Sequence, residues 1–262
     1  MTEKNNDEKV VLDILGYVHC AAKDYRDVPS EGLQATLILH QWLEPALEGL
    51  SPGDFIYVIV LFHKSDPTIL KASPNTKHQR GAFALRSSDR PNRIGMTLTQ
   101  IERIEGSVIS ISWIDFSDGT PILDIKRYSN CWECVFSAPG DDRRFIERQI
   151  PMEVLATVLA RPIRNFAGNA PETGFLASAA AELVQVHNIF LHDPSLRIHI
   201  RGTGSLSDAV QGLTKASFGN KRLTVEYESD RSFGGQVEFR QGEKKWLVEI
   251  NLEGYFLSSL IQ

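Results

Sequence analysis

The sequence predicts two regions of different class: an all-β barrel or sandwich in the N-terminal half and an α+β domain in the C-terminal half. Three observations carry this. Between Val10 and Ile125, short runs rich in Val, Ile and Phe recur at 8–12 residue spacing between turn signals, the pattern of small all-β folds. From about Tyr128 the strand pattern gives way to helical segments, and strands return only from Leu196. The chain has 262 residues, 42% hydrophobic and 23% charged, with a mean hydropathy of −0.18, which suffices to bury two cores.

In chain order, residues 1–9 read as a disordered tail, and Val10–Cys20 (VVLDILGYVHC) as a strand with a bulge at Gly16. Lys23–Gly32 is a charged loop. Ala35–His40 is a short strand, and QWLEPALEGL a short helix or turn that Pro45 limits. After the turn Ser51-Pro52-Gly53, the run DFIYVIVLFH has the continuous apolar character of a strand buried on both faces. Lys64–Arg80 has two prolines and no periodicity; a connection of this length predicts a lid or binding loop. Gly81–Leu85 resumes as a strand, and Arg86–Gly95 (RSSDRPNRIG) breaks it. Met96–Ile104, Val108–Asp115 and Ile122–Ile125 are further strands, joined by turns at Glu105-Gly106 and Ser117-Asp118-Gly119.

Beyond Tyr128, Ser137–Gln149 is linker-like, and Pro151–Arg161 and Phe175–Leu191 carry helical patterns. Leu196–Ile200 reads as a strand, and Ser205…Asp208 has capping-box spacing before a helix at AVQGL. Leu223–Tyr227, Val237–Arg240 and Trp246–Leu252 alternate as strands, the last two joined by a hairpin turn within RQGEK. The domain boundaries expected are therefore a barrel over residues 10–136, a linker over 137–150 and an α+β domain over 151–262.

Composition narrows the function classes. The net charge is −5, from 28 basic and 33 acidic residues, and neither half is basic. That weighs against a large nucleic-acid footprint and leaves room for a small local patch. The longest apolar run, Phe55–Phe62, is far short of the ~20 residues that span a bilayer. The polar N-terminus MTEKNNDEKV fits no targeting peptide. Three cysteines without framework spacing suit a reducing compartment. The expectation is a cytoplasmic protein with no membrane contact.

The densest chemistry lies in residues 62–128. Phe62 and His63 end an apolar strand, Arg86, Arg90, Asn92 and Arg93 share one loop, and Asp115, Asp118 and Asp124 flank Gly119-Thr120-Pro121. Taken singly, these are a turn and a solvated loop; gathered at strand ends, they suit a site built on a rigid scaffold. The segment GAFALRSSDRPNRIGMTLTQIERIEGSVISISWIDFSDGTPILDIKRY closely resembles the TsaA/TrmO (YaeB-like) methyltransferase family. That family's pattern runs G-hydrophobic-F-A-x-R-S-P-x-R-P-N-P-I-G, then I-E-G-N, then D-x-x-D-G-T-P-hydrophobic-L-D-I-K-P-Y. LEPALEGLSPGDFIYVIVLFHKSD is similar to its upstream segment, so the resemblance covers roughly Leu12 to Tyr128.

The resemblance implies a small β-barrel that binds S-adenosylmethionine without a Rossmann fold. It also implies a homodimer, and methylation of the exocyclic nitrogen of threonylcarbamoyladenosine in tRNA. The cofactor-binding residues it implies are Phe62, His63, Arg86, Ser87, Arg90, Asn92, Gly95, Asp115, Asp118, Gly119, Thr120 and Pro121, with Lys126 and Tyr128 closing the second block. The residue types suit the ligand: an aromatic face for adenine, an arginine for the carboxylate and an aspartate for the ribose. Asp115, Asp118 and His63 are the candidates for the base that takes the acceptor's proton. Three family prolines are replaced, by Ser88, Arg93 and Arg127, which loosens the loops. A small-molecule or metabolic-cofactor acceptor, or a non-catalytic sensor of the cofactor, are the alternatives.

In the C-terminal half, DAVQGLTKASFGNKRLTVEY resembles part of the FmdE family of formylmethanofuran dehydrogenase components, whose metal-ligand cysteine falls on or near Ser205. No metal is expected. Cys131-Trp132-Glu133-Cys134 lacks the second pair a structural zinc needs and reads as two strand cysteines. Gly202-Thr203-Gly204, between strand and helix, places amides where an anion can meet them. His187 and His192, five apart, do not share a helix face and read as core or surface histidines.

Overall fold

The computed structural model describes residues 10–72, 79–135, 150–229 and 232–260. They fall into two compact units that meet in sequence at residues 134 and 135. The first unit is a closed barrel of six strands: β1 (Gly16–Cys20), β2 (Leu33–Leu39), β3 (Phe55–Leu61), β6 (Ile94–Glu105), β7 (Val108–Ile114) and β8 (Pro121–Arg127). Their order around the barrel is β1-β2-β7-β6-β3-β8, every pair antiparallel. A separate two-stranded ribbon, β4 (Lys71–Ala72) with β5 (Arg80–Gly81), stands in the connection between β3 and β6.

Strict alternation drives this fold. In β3, Ile56, Val58 and Val60 are fully buried in the barrel, while Tyr57, Ile59 and Leu61 on the other face are only partly covered. The expectation of a strand buried on both faces is thus corrected: closure buries one face, and a continuous apolar run conceals the period of two. Val10–Leu15 is not part of β1. Gly16 is no bulge but pairs in register with Leu39, where a Cβ would stand 2.2 Å from the Ile38 carbonyl oxygen. Register shifts occur instead at Leu33/Ala35, Ile59/Val60 and Ile101/Arg103. The strand expected over Gly81–Leu85 is a two-residue strand followed by a 3-10 turn, Ala82–Ala84. Gln41–Leu47, with Pro45, is also 3-10.

Antiparallel closure sends alternate connections to opposite rims. Leu61 pairs with Ile94, Leu33 with Ile114, Tyr17 with Pro121 and Cys20 with Ala35. The connections 21–32 and 115–120, and the two ends of the connection between β3 and β6, therefore share one rim. The connections 40–54 and 106–107, and the chain leaving β8, share the other.

After β8 comes a short helix, α1 (Asn130–Glu133), so Cys131 and Cys134 are exposed on and just after a helix rather than in a strand. The linker region is largely outside the described residues. Among its described residues, the second unit has three helices, α2 (Met152–Ala167), α3 (Thr173–His187) and α4 (Gly204–Thr214). It also has five strands: β9 (Arg197–Gly202), β10 (Leu223–Tyr227), β11 (Gly235–Gln241), β12 (Lys244–Asn251) and β13 (Gly254–Leu260). They form one sheet in the order β10-β9-β11-β12-β13, in which only β9 and β10 are parallel. The helices contribute Leu155, Leu159, Ile163, Leu176, Leu183, Leu206 and Leu213 to a core that Ile198, Ile200, Val237, Phe239 and Val248 complete from the sheet. The helix expected to stop at Arg161 continues through Pro162, and the one expected over Phe175–Leu191 ends at His187, where Asn188 turns left-handed. Among the described residues, no helix is long and apolar enough to cross a membrane.

Candidate functional site

The strand register gathers both motif blocks on one rim, and an aromatic wedge locks them. Phe62, the first residue past β3, donates its N–H to the Arg93 carbonyl at 2.7 Å. Its ring meets Phe116 edge-on, with centroids 5.5 Å apart. Gly95 supplies the space: a Cβ there would stand 2.3 Å from Phe62 Cζ and 2.8 Å from Val60 Cγ2. Segments 62–63, 93–95 and 116 therefore meet at one point, with Phe62 between the two blocks.

In the first block, arginines close the loop on itself. Arg90 Nη2 donates to the carbonyls of Ala82 (3.0 Å) and Leu85 (2.6 Å), while its Nε is buried with no hydrogen-bond partner. Arg86 Nη2 donates to the Met96 carbonyl at 2.6 Å. The Ser87 hydroxyl donates to the Asp89 carbonyl at 3.4 Å, and the Asp89 carboxylate accepts the Asp66 N–H at 3.0 Å. That last bond ties the start of the long connection to the block. Arg93 has φ +55°, which a proline ring, held near −65°, cannot adopt. At this position the loop departs from the resembled R-P-N-P pattern in backbone as well as side chain. His63 and Asn92 are exposed.

In the second block, Asp115 is exposed just past β7, and Phe116 is buried. Gly119 turns at φ +72° and donates its N–H to Val18. The Thr120 hydroxyl donates to the Ser117 carbonyl at 2.7 Å, and Pro121 opens β8. Asp118 stitches this turn to the end of β1. Its carboxylate accepts the Cys20 N–H (3.0 Å) and Lys23 Nζ (2.8 Å) and lies 3.0 Å from His19 Nδ1. The Lys23 hydrogen bond first, then the Cys20 amide, holds its pKa below the ordinary carboxylate value. A carboxylate so occupied positions the turn and is a poor proton acceptor.

Lys126 and Tyr128 are not brought to this rim. Tyr128 donates its N–H to Phe55 at the opposite rim, where its ring packs against Phe55 and Tyr57. Conversely, His19, Lys23, Asp66, Asp89 and Phe116 belong to the rim although the motifs did not single them out. Their signal is tertiary: only the β1–β8 pairing places Lys23 beside Asp118.

In the second unit, the cap of α4 is Thr203, whose Oγ1 accepts the Leu206 N–H at 3.2 Å, not the expected Ser205…Asp208 box. The Thr203 N–H goes to the Gly234 carbonyl, and the carboxyl group next to this turn is reached by side chains. Buried Glu172 accepts Thr203 Oγ1 (2.8 Å), Ser205 Oγ (2.9 Å) and the Gly234 N–H (3.0 Å) through Oε1, while Oε2 has no hydrogen-bond partner. The His187 ring packs on Trp246. Among the described residues, no group of three or more His, Cys, Asp or Glu stands close enough to hold a metal.

A closed barrel with its polar loops collected on one rim defines a scaffold whose chemistry is borne by loops. Comparison with known proteins gives the family. Residues 8–134 match the tRNA-methyltransferase O N-terminal domain. A probable S-adenosyl-L-methionine-binding protein of Pyrococcus horikoshii is 42% identical over 95 residues, 34% of this chain and 68% of that protein. Another of that description, from Methanocaldococcus jannaschii, is 42% identical over 34% of this chain and 75% of its own length. The mouse tRNA (adenine(37)-N6)-methyltransferase is 39% identical over 32% of this chain, but the chain spans only 21% of that enzyme. A crystal structure of TrmO from Pseudomonas aeruginosa aligns over 95% of this chain and 97% of its own, at 19% identity and a TM-score of 0.45, too low to bear on the site. Through its barrel, the chain belongs to the tRNA-methyltransferase O N-terminal domain family.

Proposed function

We propose that the barrel binds S-adenosylmethionine at its loop-bearing rim and transfers the methyl group to N6 of adenine 37 in tRNA, with the threonylcarbamoylated nucleoside as substrate. One observation carries this reading: Phe62, wedged between Gly95 and Phe116, draws both family motif blocks into one place. The residues present fit the cofactor. Arg90 Nε is a buried donor without a partner, which is costly unless a ligand or water accepts from it. Arg86 and Ser87 add donors for a carboxylate or ribose hydroxyls, and Asp115 adds an exposed acceptor.

When bound, the cofactor supplies an electrophilic methyl group on a sulfonium. The rim's contribution is alignment, since in-line displacement rewards fixed geometry, and removal of the proton from the acceptor nitrogen. As the acceptor nitrogen takes the methyl group that the cofactor would supply, its proton would pass to a base on the rim. Of the three base candidates, Asp115 and His63 are exposed and able to meet an acceptor; Asp118 is a positioning residue. The same reading makes the protein a cytoplasmic homodimer. Ile94 and Met96, 38% and 45% exposed on the outer face of β6 beside Ile59 and Leu61, give a second copy an apolar surface to cover.

A second reading keeps the cofactor and changes the acceptor to a small molecule, favoured by the altered backbone at Arg93. The test is methyl transfer from labelled S-adenosylmethionine to unmodified and threonylcarbamoylated tRNA. Transfer only to the modified tRNA supports the proposal. Cofactor binding with no transfer to either tRNA refutes the tRNA acceptor and moves the assignment to a small molecule or a sensor.

A further inference from the structure

The register of the second sheet forces three cations into a row. Arg197 on β9 lies directly opposite Arg240 on β11, and Arg240 opposite Lys245 on β12. Each alternates with a buried neighbour, Ile198, Phe239 or Trp246, so all three stand on the face turned away from the core. Strands lie ~4.8 Å apart, which sets the row at about 10 Å. Like charges so opposed repel. Glu238 takes Arg240 at 2.7 Å and Lys245 at 3.9 Å, offsetting one charge of the three. Arg197 donates to the Pro194 carbonyl at 2.7 Å, which orients the guanidinium without neutralising it. A cleft of about 400 Å³ opens here, lined by Arg197, Ile198, His199, Thr224, Glu238 and Arg240. The opposite end of the same face is acidic, with Glu226, Glu228 and Glu249 around Arg201.

We propose that this basic row is a seat for consecutive phosphodiester groups of an RNA strand, by which the second unit holds the acceptor. A line of two arginines and a lysine with one carboxylate, Glu238, among them keeps a net positive charge on a chain of net charge −5, a repulsive arrangement that an anion relieves. Guanidinium forks match phosphate oxygens, and a line of cations suits a string of phosphates better than one carboxylate. The acidic end confines the strand to the basic end. The choice of RNA rests on the tRNA reading above.

The test is equilibrium binding of a full-length tRNA transcript to the whole protein across a salt series. It compares wild type with R197A/R240A/K245A, and S-adenosylmethionine affinity in each serves as the control for folding. Loss of three phosphate contacts lowers the slope of log affinity against log salt by about 2 to 3. At low salt the variant binds at least tenfold more weakly, with cofactor affinity unchanged. Glu226→Gln, at the acidic end, does not weaken binding. An unchanged slope in the triple variant overturns this inference while leaving methyl transfer to tRNA by wild type to judge the function separately. Competition by inorganic phosphate or AMP as tight as that by tRNA also overturns the RNA assignment. A wild-type protein that binds no tRNA overturns both.

Discussion

Gly95→Ala tests the wedge that holds the rim together. The new methyl carbon falls 2.3 Å from Phe62 Cζ, 2.7 Å from Cε2 and 2.8 Å from Val60 Cγ2. Val60 is fully buried and cannot retreat, so the Phe62 ring must leave its slot and its contact with Phe116. Overpacking of this kind costs about 1–3 kcal/mol. At roughly 4 °C per kcal/mol for a unit of this size, the barrel's Tm falls by about 4–12 °C. Because Phe62 joins the two motif blocks, S-adenosylmethionine affinity falls as well. Phe62→Leu in the same background returns space to the methyl group, so the two substitutions couple favourably by about 0.5–3 kcal/mol in a double-mutant cycle. The assay is thermal unfolding of the four proteins, paired with calorimetric titration of the cofactor. A Gly95→Ala protein as stable as wild type, or additive effects in the cycle, refutes the wedge.

Three further outcomes follow from partners named above. Asp118→Ala leaves the Cys20 amide without its acceptor and costs about 1–2 kcal/mol; Asp118→Asn keeps that acceptor and costs less. Because the folded carboxyl of Asp118 is held below its ordinary value, its stabilisation is complete above the unfolded carboxylate range, about pH 4. It is lost as pH falls through the lower folded value, so Asp118→Asn flattens the acid limb of a stability-against-pH curve; an unchanged limb contradicts this. Glu172→Ala strips the acceptor from Thr203, Ser205 and Gly234 and costs about 3 kcal/mol, while Glu172→Gln, which keeps one oxygen, stays within about 1 kcal/mol; equal losses in denaturant titration would show that the Oε1 acceptor does not hold this corner. Cys131 and Cys134 are exposed, whereas Cys20 is buried with its pKa pushed up by burial. A thiol reagent therefore labels two sites fast and one slowly, and three equal rates disagree.

Much of the barrel is legible in the chain because its strands alternate and its turns carry Gly, Pro and Asp. The strand at Phe55–Leu61 is legible as a strand but not as a one-sided one, since Tyr57, Ile59 and Leu61 are apolar on the outer face as well. Gly81–Leu85 misleads in the other direction: apolar residues without ladder partners wind into a 3-10 turn. At the site, the motif blocks announce themselves, but what each residue does there is set by pairing across the barrel. Asp118 reads as one of three candidate bases, and its partners Lys23, His19 and the Cys20 amide come into view only once β1 is placed beside it. Lys126 and Tyr128 read as part of the same block until β8 carries them to the far rim. In the second unit, Gly202-Thr203-Gly204 reads as amides that can meet an anion, whereas the structure sets the Thr203 and Ser205 hydroxyls on Glu172, some 30 positions upstream. Distant pairing of this sort leaves no local mark.

If the rim bearing both motif blocks holds S-adenosylmethionine, calorimetric titration of the cofactor into paired variants shows it. Arg86→Ala alters the proposed rim, and Lys126→Ala alters the opposite one. Saturable binding to wild type, weakened tenfold or more by Arg86→Ala and left intact by Lys126→Ala, is the predicted result. Equal binding in both variants, or weakening by Lys126→Ala alone, places the cofactor away from this rim.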